Sequence, residues 1–336
     1  MPEDLKTRVS PSSASILGEG SPLQVLRTTV RGRVADYGIL ILFVGLLILG
    51  RVVYDGFFTK ANLESIVAQS APLGIVAVGM TLVIIAGGFD LSVGAIYAIG
   101  ATLFAAMGSS HSWFVSGLVA ILVGLGLGVI NGVVVTLLRV NPFIATLGTS
   151  SVYGGAVLLI SNNKAYVLTR YSPLGSDNLA SIPISVIVLV VVFVIGWIAL
   201  RMTIFGRSVY AVGGNDEASH LAGLRVPLIR SSTYVISGGL AAFAGIMQAS
   251  RLESGQGNFG STTALSAIAV VVIGGTALLG SEGSMWRTGI GLPIIGTLSN
   301  VFFSLALSAN WQTVVTGVIL ILAVAFDVLI RTGRRT

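Results

Sequence analysis

Apolar residues fall along this chain in long blocks separated by short polar breaks, and no block alternates polar with apolar as a half-buried strand would. Covering about 30 Å of hydrocarbon takes roughly 20 residues of helix. Ten blocks approach that length, at 34–54, 63–86, 91–107, 113–138, 143–160, 182–200, 229–250, 264–279, 285–307 and 312–330. Each predicts a helix, because backbone groups in lipid have no water to bond and only helices or closed barrels satisfy them internally. The expected fold class is all-α, a polytopic membrane protein of about ten transmembrane helices.

Composition narrows the picture. Of the 336 residues, 54% are hydrophobic and 10% charged, with mean hydropathy +0.94. A soluble domain carries roughly 45–50% apolar and about 25% charged residues, so an ordinary water-soluble fold is excluded. The net charge of +6 does not form a nucleic-acid-binding stripe; charges gather in 1–36, 201–230 and 327–335, as they do at cytosolic ends and loops of membrane proteins. With the N-terminus in the cytosol, inward-facing segments hold 14 Lys and Arg residues against 5 outside, namely Arg51, Lys60, Lys164, Arg170 and Arg251. The positive-inside rule therefore predicts that both termini are cytosolic. Residues 1–33, rich in Ser, Pro and Arg, read as a disordered cytosolic tail rather than a cleaved leader, 34–330 as the membrane domain, and 331–336 as a second tail.

Cysteine is absent and histidine occurs twice, which excludes disulfide frameworks, thiol catalysis and Cys/His zinc sites. No lysine follows a glycine, since Lys6, Lys60 and Lys164 are the only ones, so the chain has no P-loop lysine with which to hold ATP. Neither His111 nor His220 lies in an apolar block, and no nucleophile or metal constellation points to a membrane-embedded enzyme.

Polar chemistry concentrates at a few places. Between the second and third blocks the chain reads Gly87-Gly88-Phe89-Asp90-Leu91-Ser92-Val93-Gly94. Glycines there let a helix break or backbones approach, and an Asp before an apolar run suits an N-cap. The stretch equally reads as a broken helix presenting amides and a carboxylate to a translocation path, an acid at membrane depth being a functional candidate. Gly87, Gly88, Asp90 and Ser92 are the path or gate candidates, with Asn131 as a further contributor or as an interhelical hydrogen bond. Gly124, Gly128 and Gly132 recur every four residues on one face and predict close helix packing; Gly274 and Gly275 predict packing at the end of the eighth block.

The stretch 205–227 is the sizeable charged segment between blocks. Asn215 can cap a short helix, Asp216 and Glu217 complement its first turn, and Gly223 can end it. Ala218, Leu221 and Ala222 then share one small apolar face. So short a helix needs something packed on that face, either the chain's own membrane domain or a cytosolic partner. The segment 161–181, with Asn162, Lys164, Arg170 and Asp177, is long for a connection and reads as solvated loop or as a docking surface for an external protein.

Four stretches, GGFDLSVGA at 87–95, NGVVVTLLRVNPFIATLGT at 131–149, YAVGGNDEASHLAGL at 210–224 and VVIGGTALLGSEGS at 271–284, occur in order and at family spacing. Together they resemble the ribose/xylose-type permease subunits of bacterial ABC sugar importers, in the wider group that includes branched-chain amino-acid permeases. The resemblance covers about 34–330 and implies a subunit of the bacterial inner membrane. It further implies a second permease subunit, as homodimer or heterodimer, two cytosolic ABC ATPases that hold ATP and Mg, and an extracytoplasmic sugar-binding protein. No cofactor is expected on this chain and no nucleic acid is an expected partner. Gly213, Gly214, Asn215, Ala218, Leu221, Gly223 and Leu224 fall on the motif that, by resemblance, meets the ATPase within a coupling loop at about 205–226. The chain departs from the pattern at the start of the eighth block: where similar permeases carry two acids in a Glu-Leu-Asp-Ala-Ile stretch, it has Ala264-Leu265-Ser266-Ala267-Ile268. The competing readings are a stand-alone secondary transporter or channel with Asp90 as ion-coupling site, and an ABC permease for a branched-chain amino acid or nucleoside.

Overall fold

The computed structural model describes residues 41, 43–169, 172–278 and 280–332. The tail expected at 1–33, residues 333–336 of the one expected at 331–336, the start of the first block, Arg170, Tyr171 and Leu279 lie outside the described residues, while Arg331 and Thr332 belong to the last helix. The helices are α1 (Phe43–Val53), α2 (Lys60–Ile85), α3 (Val93–Met107), α4 (Trp113–Thr136), α5 (Pro142–Ser161), α6 (Pro173–Ser176) and α7 (Ile184–Met202). They continue with α8 (Ile204–Gly214), α9 (Asp216–Leu221), α10 (Val226–Leu252), α11 (Thr263–Ile273), α12 (Met285–Ser304) and α13 (Ala309–Thr332).

Local chemistry sets several of these ends. The side chain of Asn141 accepts the amide of Phe143 at 3.0 Å, Pro142 opens α5 where its missing amide costs nothing, and Asn162 closes it in the left-handed conformation. Ser112 caps α4 in the same manner.

Five helices, α2, α4, α5, α7 and α10, are long and apolar enough to cross a membrane, and α1, α3, α11 and part of α13 are shorter apolar helices. The eighth block corrects the expected layout. Its helix stops at Ile273 after 11 residues, about 16 Å of rise where about 30 Å is needed. Gly274 and Gly275, the latter at φ +90°, turn the chain out of helical geometry, and 274–284 continues as irregular backbone. The helix α12 then packs back on this turn: a Cβ at Gly274 would stand 2.3 Å from the carbonyl oxygen of Arg287.

The centre of the bundle is α2 together with α10. From Ser70 onward almost every residue of α2 is buried, as befits a helix apolar all round. The glycine face of α4 lies on α10 as its spacing predicts. A Cβ at Gly124 would meet the Gly238 carbonyl oxygen at 2.6 Å, one at Gly128 the Tyr234 oxygen at 2.4 Å, and one at Gly132 the Ser231 Cβ at 2.9 Å. On the other side, α3 approaches α10 equally closely, Gly245 facing the Tyr97 carbonyl oxygen. By contrast α4, α5 and α7 leave Leu122, Leu159, Val190 and Ile195 exposed, a surface of large apolar side chains.

The described part of 161–181 is folded rather than plain loop. The strand β1 (Tyr166–Val167) pairs antiparallel with β4 (Ser254–Gly255), and β2 (Asn178–Leu179) with β3 (Ile182–Pro183). Gly175 of α6 seats on the backbone of Ser250 and Arg251, and the hydroxyls of Ser172 and Ser250 lie 2.8 Å apart. Leu168 is buried among Phe104, Ile246 and Ala249.

Candidate functional site

At its end opposite Lys60, α2 gives way to a tight turn. Gly87 is left-handed at φ +75°, and the amide of Gly88 returns to the Val83 carbonyl at 2.9 Å. A Cβ at Gly88 would stand 2.5 Å from the Tyr234 hydroxyl oxygen. The helix start differs from expectation. Ser92 precedes α3 without capping it by its side chain, and Asp90 lies one step farther back, accepting the Ser92 amide at 3.1 Å. Asp90 is wholly buried and accepts two more hydrogen bonds, from the Ser92 hydroxyl at 2.6 Å and the Ser237 hydroxyl at 3.0 Å.

The cluster extends across the bundle. Asn131 Nδ2 donates to Ser92 Oγ at 2.6 Å, and the Tyr153 hydroxyl donates to Asn131 Oδ1 at 3.3 Å. The Phe89 carbonyl accepts from the hydroxyls of Tyr234 and Thr146, both at 3.2 Å. One turn is thus tied to α4, α5 and α10, and the candidates Asp90, Ser92 and Asn131 are brought together. Sequence reasoning missed Ser237, Tyr234, Tyr153 and Thr146, whose only signal was polarity inside apolar blocks.

The second group of candidates sits against the same turn. In α9 the Asn215 side chain accepts the Ala218 amide at 2.9 Å, with Asp216 and Glu217 in the first turn. Gly223, at φ +83°, donates to the His220 carbonyl, and the Leu224 amide returns to Ser219. Ala218, Leu221 and Ala222 are exposed, Leu221 at 82%, and Ser219 alone in α9 is buried. The chain's own membrane helices do not cover this apolar face.

The preceding α8 packs inward. A Cβ at Gly213 would fall 1.8 Å from the Ile85 carbonyl oxygen, and that oxygen also accepts the Ser281 amide at 3.0 Å. A Cβ at Gly214 would stand 3.5 Å from Ser281. The Tyr210 hydroxyl donates to the Gly283 carbonyl at 2.9 Å; burial raises its pKa above the ordinary value, with Arg201 and Arg287 opposing. Arg230, counted in the sequence only as an inward-facing charge, bridges the two groups: it contacts Ala86 through Nε and Asp216 through both terminal nitrogens.

A third feature was not visible in the sequence. Between α2, α3, α10, α11, α12 and α13, toward the end of the bundle that carries α6, lies a polar cavity of about 420 Å³. Its lining includes Gln69, Tyr97, Gln248, Arg251, Ser266 and Gln312 and none of Gly87, Gly88, Asp90, Ser92 or Asn131. Arg251 borders the cavity, and its Nη1 is sealed within the protein without a hydrogen-bond partner among the described residues.

Comparison with known proteins gives this arrangement its context. The ribose import permease protein RbsC of Bacillus subtilis (strain 168) is 39% identical over 296 residues, covering 85% of this chain and 91% of that protein. RbsC of Escherichia coli (strain K12) is 36% identical over 86% of this chain and 92% of its own length. The L-arabinose transport system permease protein AraH of Escherichia coli (strain K12) is 34% identical over 329 residues, 97% of this chain and 99% of the relative. No solved structure matches the chain. The family described as branched-chain amino acid transport system / permease component matches residues 62–324, from the first turn of α2 well into α13. With its apolar helices and that match over most of its length, the chain is a multi-pass membrane protein and belongs to the branched-chain amino acid transport system / permease component family.

Proposed function

We propose that the chain is the membrane-spanning subunit of an ATP-binding-cassette importer and forms the path for a monosaccharide or related sugar. The observation that carries this reading is the exposed apolar face of α9, joined through Arg230 and the α8 glycines to the turn that follows α2. A force applied to α9 from outside the chain has a direct mechanical route into the bundle. The ribose and arabinose permeases named above support sugar as the cargo.

In this reading the chain crosses the bacterial cytoplasmic membrane about ten times, counting α3 and α11 as partial crossings, with both termini and α9 in the cytosol. The membrane domain takes up 34–330, and its coupling loop about 205–226. Two such subunits, identical or sister, stand above two ATPases that hold ATP and Mg, and an extracytoplasmic binding protein delivers the solute. Ala218 and Leu221 meet the ATPase; Asn215, Gly223 and Leu224 shape α9, Gly213 lets α8 press on α2, and Gly214 faces Ser281. Closure of the ATPases then rocks the subunits between inward-open and outward-open states. Gly87, Gly88, Asp90, Ser92 and Asn131 serve as the gate joint that moves as one hydrogen-bonded unit. A stand-alone, ion-coupled transporter would need Asp90 to meet a solvent path, whereas its carboxylate is enclosed by serine hydroxyls.

The test is transport in vesicles. Co-expressed with the neighbouring ATPase and binding protein, the chain should accumulate sugar only when ATP is present. Uphill accumulation by the chain alone, driven by an ion gradient, would replace this reading with the secondary-transporter one.

A further inference from the structure

Resting on the importer reading, we propose that the cavity beside Arg251 accepts a monosaccharide bearing a single carboxylate, a sugar acid, in preference to a neutral sugar. Among the described residues, Arg251 is the one charged residue in the cavity lining, which contains no Asp or Glu. Glu253, two residues on, is exposed and takes no part in the lining. A guanidinium does not shed its proton, and Arg251, only partly buried where it borders the cavity, has no ion pair among the described residues, so the lining favours an acceptor-rich occupant. Ser266 of α11 lines the same cavity as Arg251 and brings it a hydroxyl, not a counter-charge. No carboxylate among the described lining residues balances Arg251, and the cavity is left one positive charge in excess.

The rest of the lining fits a sugar. Gln69, Gln248 and Gln312 offer amide donors and acceptors, and Tyr97 and Ser266 offer hydroxyls, the groups that pair with ring hydroxyls. A volume of about 420 Å³ lies within the roughly 300–1,000 Å³ usual for small-molecule sites. The planar guanidinium fork matches a carboxylate in shape. One cation neutralises one negative charge; a sugar phosphate, close to doubly charged, would leave a charge uncompensated in a low-dielectric site.

The full chain in lipid nanodiscs tests this, titrated with D-galacturonate, D-galactose and D-galactose 6-phosphate, with melting temperature as readout. Galacturonate should bind about 10- to 100-fold more tightly than galactose, the range for losing a charge-assisted hydrogen bond. Arg251→Gln should erase the preference. Ser266→Asp, which supplies an internal counter-ion and keeps Arg251, should erase it too, whereas Ser266→Ala should keep it. Galactose binding as tightly as galacturonate, a preference that survives both Arg251→Gln and Ser266→Asp, tightest binding of the phosphate, or no binding of any would each overturn the inference. ATP-driven uptake in vesicles separates this from the underlying reading. Uptake of neutral sugar without galacturonate rejects only the sugar-acid inference, while absence of ATP-dependent uptake of any sugar rejects both.

Discussion

Arg230 holds Asp216 through both terminal nitrogens, at 2.8 and 2.5 Å, while its Nε donates to the Ala86 carbonyl at 3.1 Å. One side chain therefore ties the first residue of α9 to the residue that follows α2. A planar fork can serve a carboxylate and a carbonyl at once; an ammonium cannot hold all three acceptors in that geometry. Arg230→Lys and Asp216→Asn are expected to leave assembly intact and lower ATP-driven uptake by roughly 3- to 30-fold, the scale for residues between coupled sites. Because Asp216 is half exposed, stability should fall by no more than about 1 kcal/mol. Sugar moved per ATP hydrolysed is the measurement, and an unchanged ratio in Arg230→Lys would remove this bridge from the coupling route.

Leu221 is 82% exposed on α9, so the fold does not depend on it. Leu221→Glu should change unfolding stability by less than about 0.5 kcal/mol, as surface substitutions do. It should nevertheless abolish copurification of the ATPase, because a charge would enter the apolar contact. Retained copurification at wild-type yield would place the ATPase elsewhere.

The approach of α4 to α10 leaves no room at Gly128. Gly128→Leu is expected to cost about 3 kcal/mol or more and to yield aggregated protein, since backbone rather than a movable side chain stands in the way. Gly126, on the same helix, has nothing within 4 Å of its would-be Cβ, and Gly126→Ala should be tolerated. Size-exclusion profiles in detergent compare the two; similar monodisperse peaks would contradict the packing account.

Asp90 accepts three hydrogen bonds in a wholly buried position. Asp90→Asn keeps the shape, and the Ser237 hydroxyl can turn to accept from the new amide, so a modest loss of about 1 kcal/mol is expected. Asp90→Ala leaves two hydroxyls and an amide without their acceptor and should cost about 2–4 kcal/mol. Melting temperatures of the two variants, with uptake measured beside them, check the order. Equal melting of wild type and Asp90→Ala would mean the hydrogen-bonded joint contributes nothing to the fold.

What the sequence made legible was what local chemistry decides. The four-residue glycine spacing in α4 located a packed face, and Asn215 with Gly223 located both ends of α9, because caps and close approaches act within a few residues. The sequence did not reveal the short length of α11, since an apolar run continues past Gly274 and hydropathy does not register a left-handed turn at Gly275. The helix α8 was also missed, although Phe205, Val209 and Val212 lie on one helical face. The folded state of 161–181 depends on pairing with Ser254 and Gly255, far along the chain. The cavity draws its walls from widely separated helices, and no single stretch of sequence carries its outline.

The helix α2 takes part in two places at once. Its final turn borders the carbonyl that Arg230 grips, and its earlier residues Gln69 and Ser70 wall the cavity, roughly 25 Å away at 1.5 Å per residue. Pro72, itself in the cavity wall, leaves a gap in the helix's ladder of bonds there, where its amide is missing. Any shove delivered at the Arg230 end must therefore either flex the rod at that proline or arrive, undiminished, at the chamber where the cargo would rest.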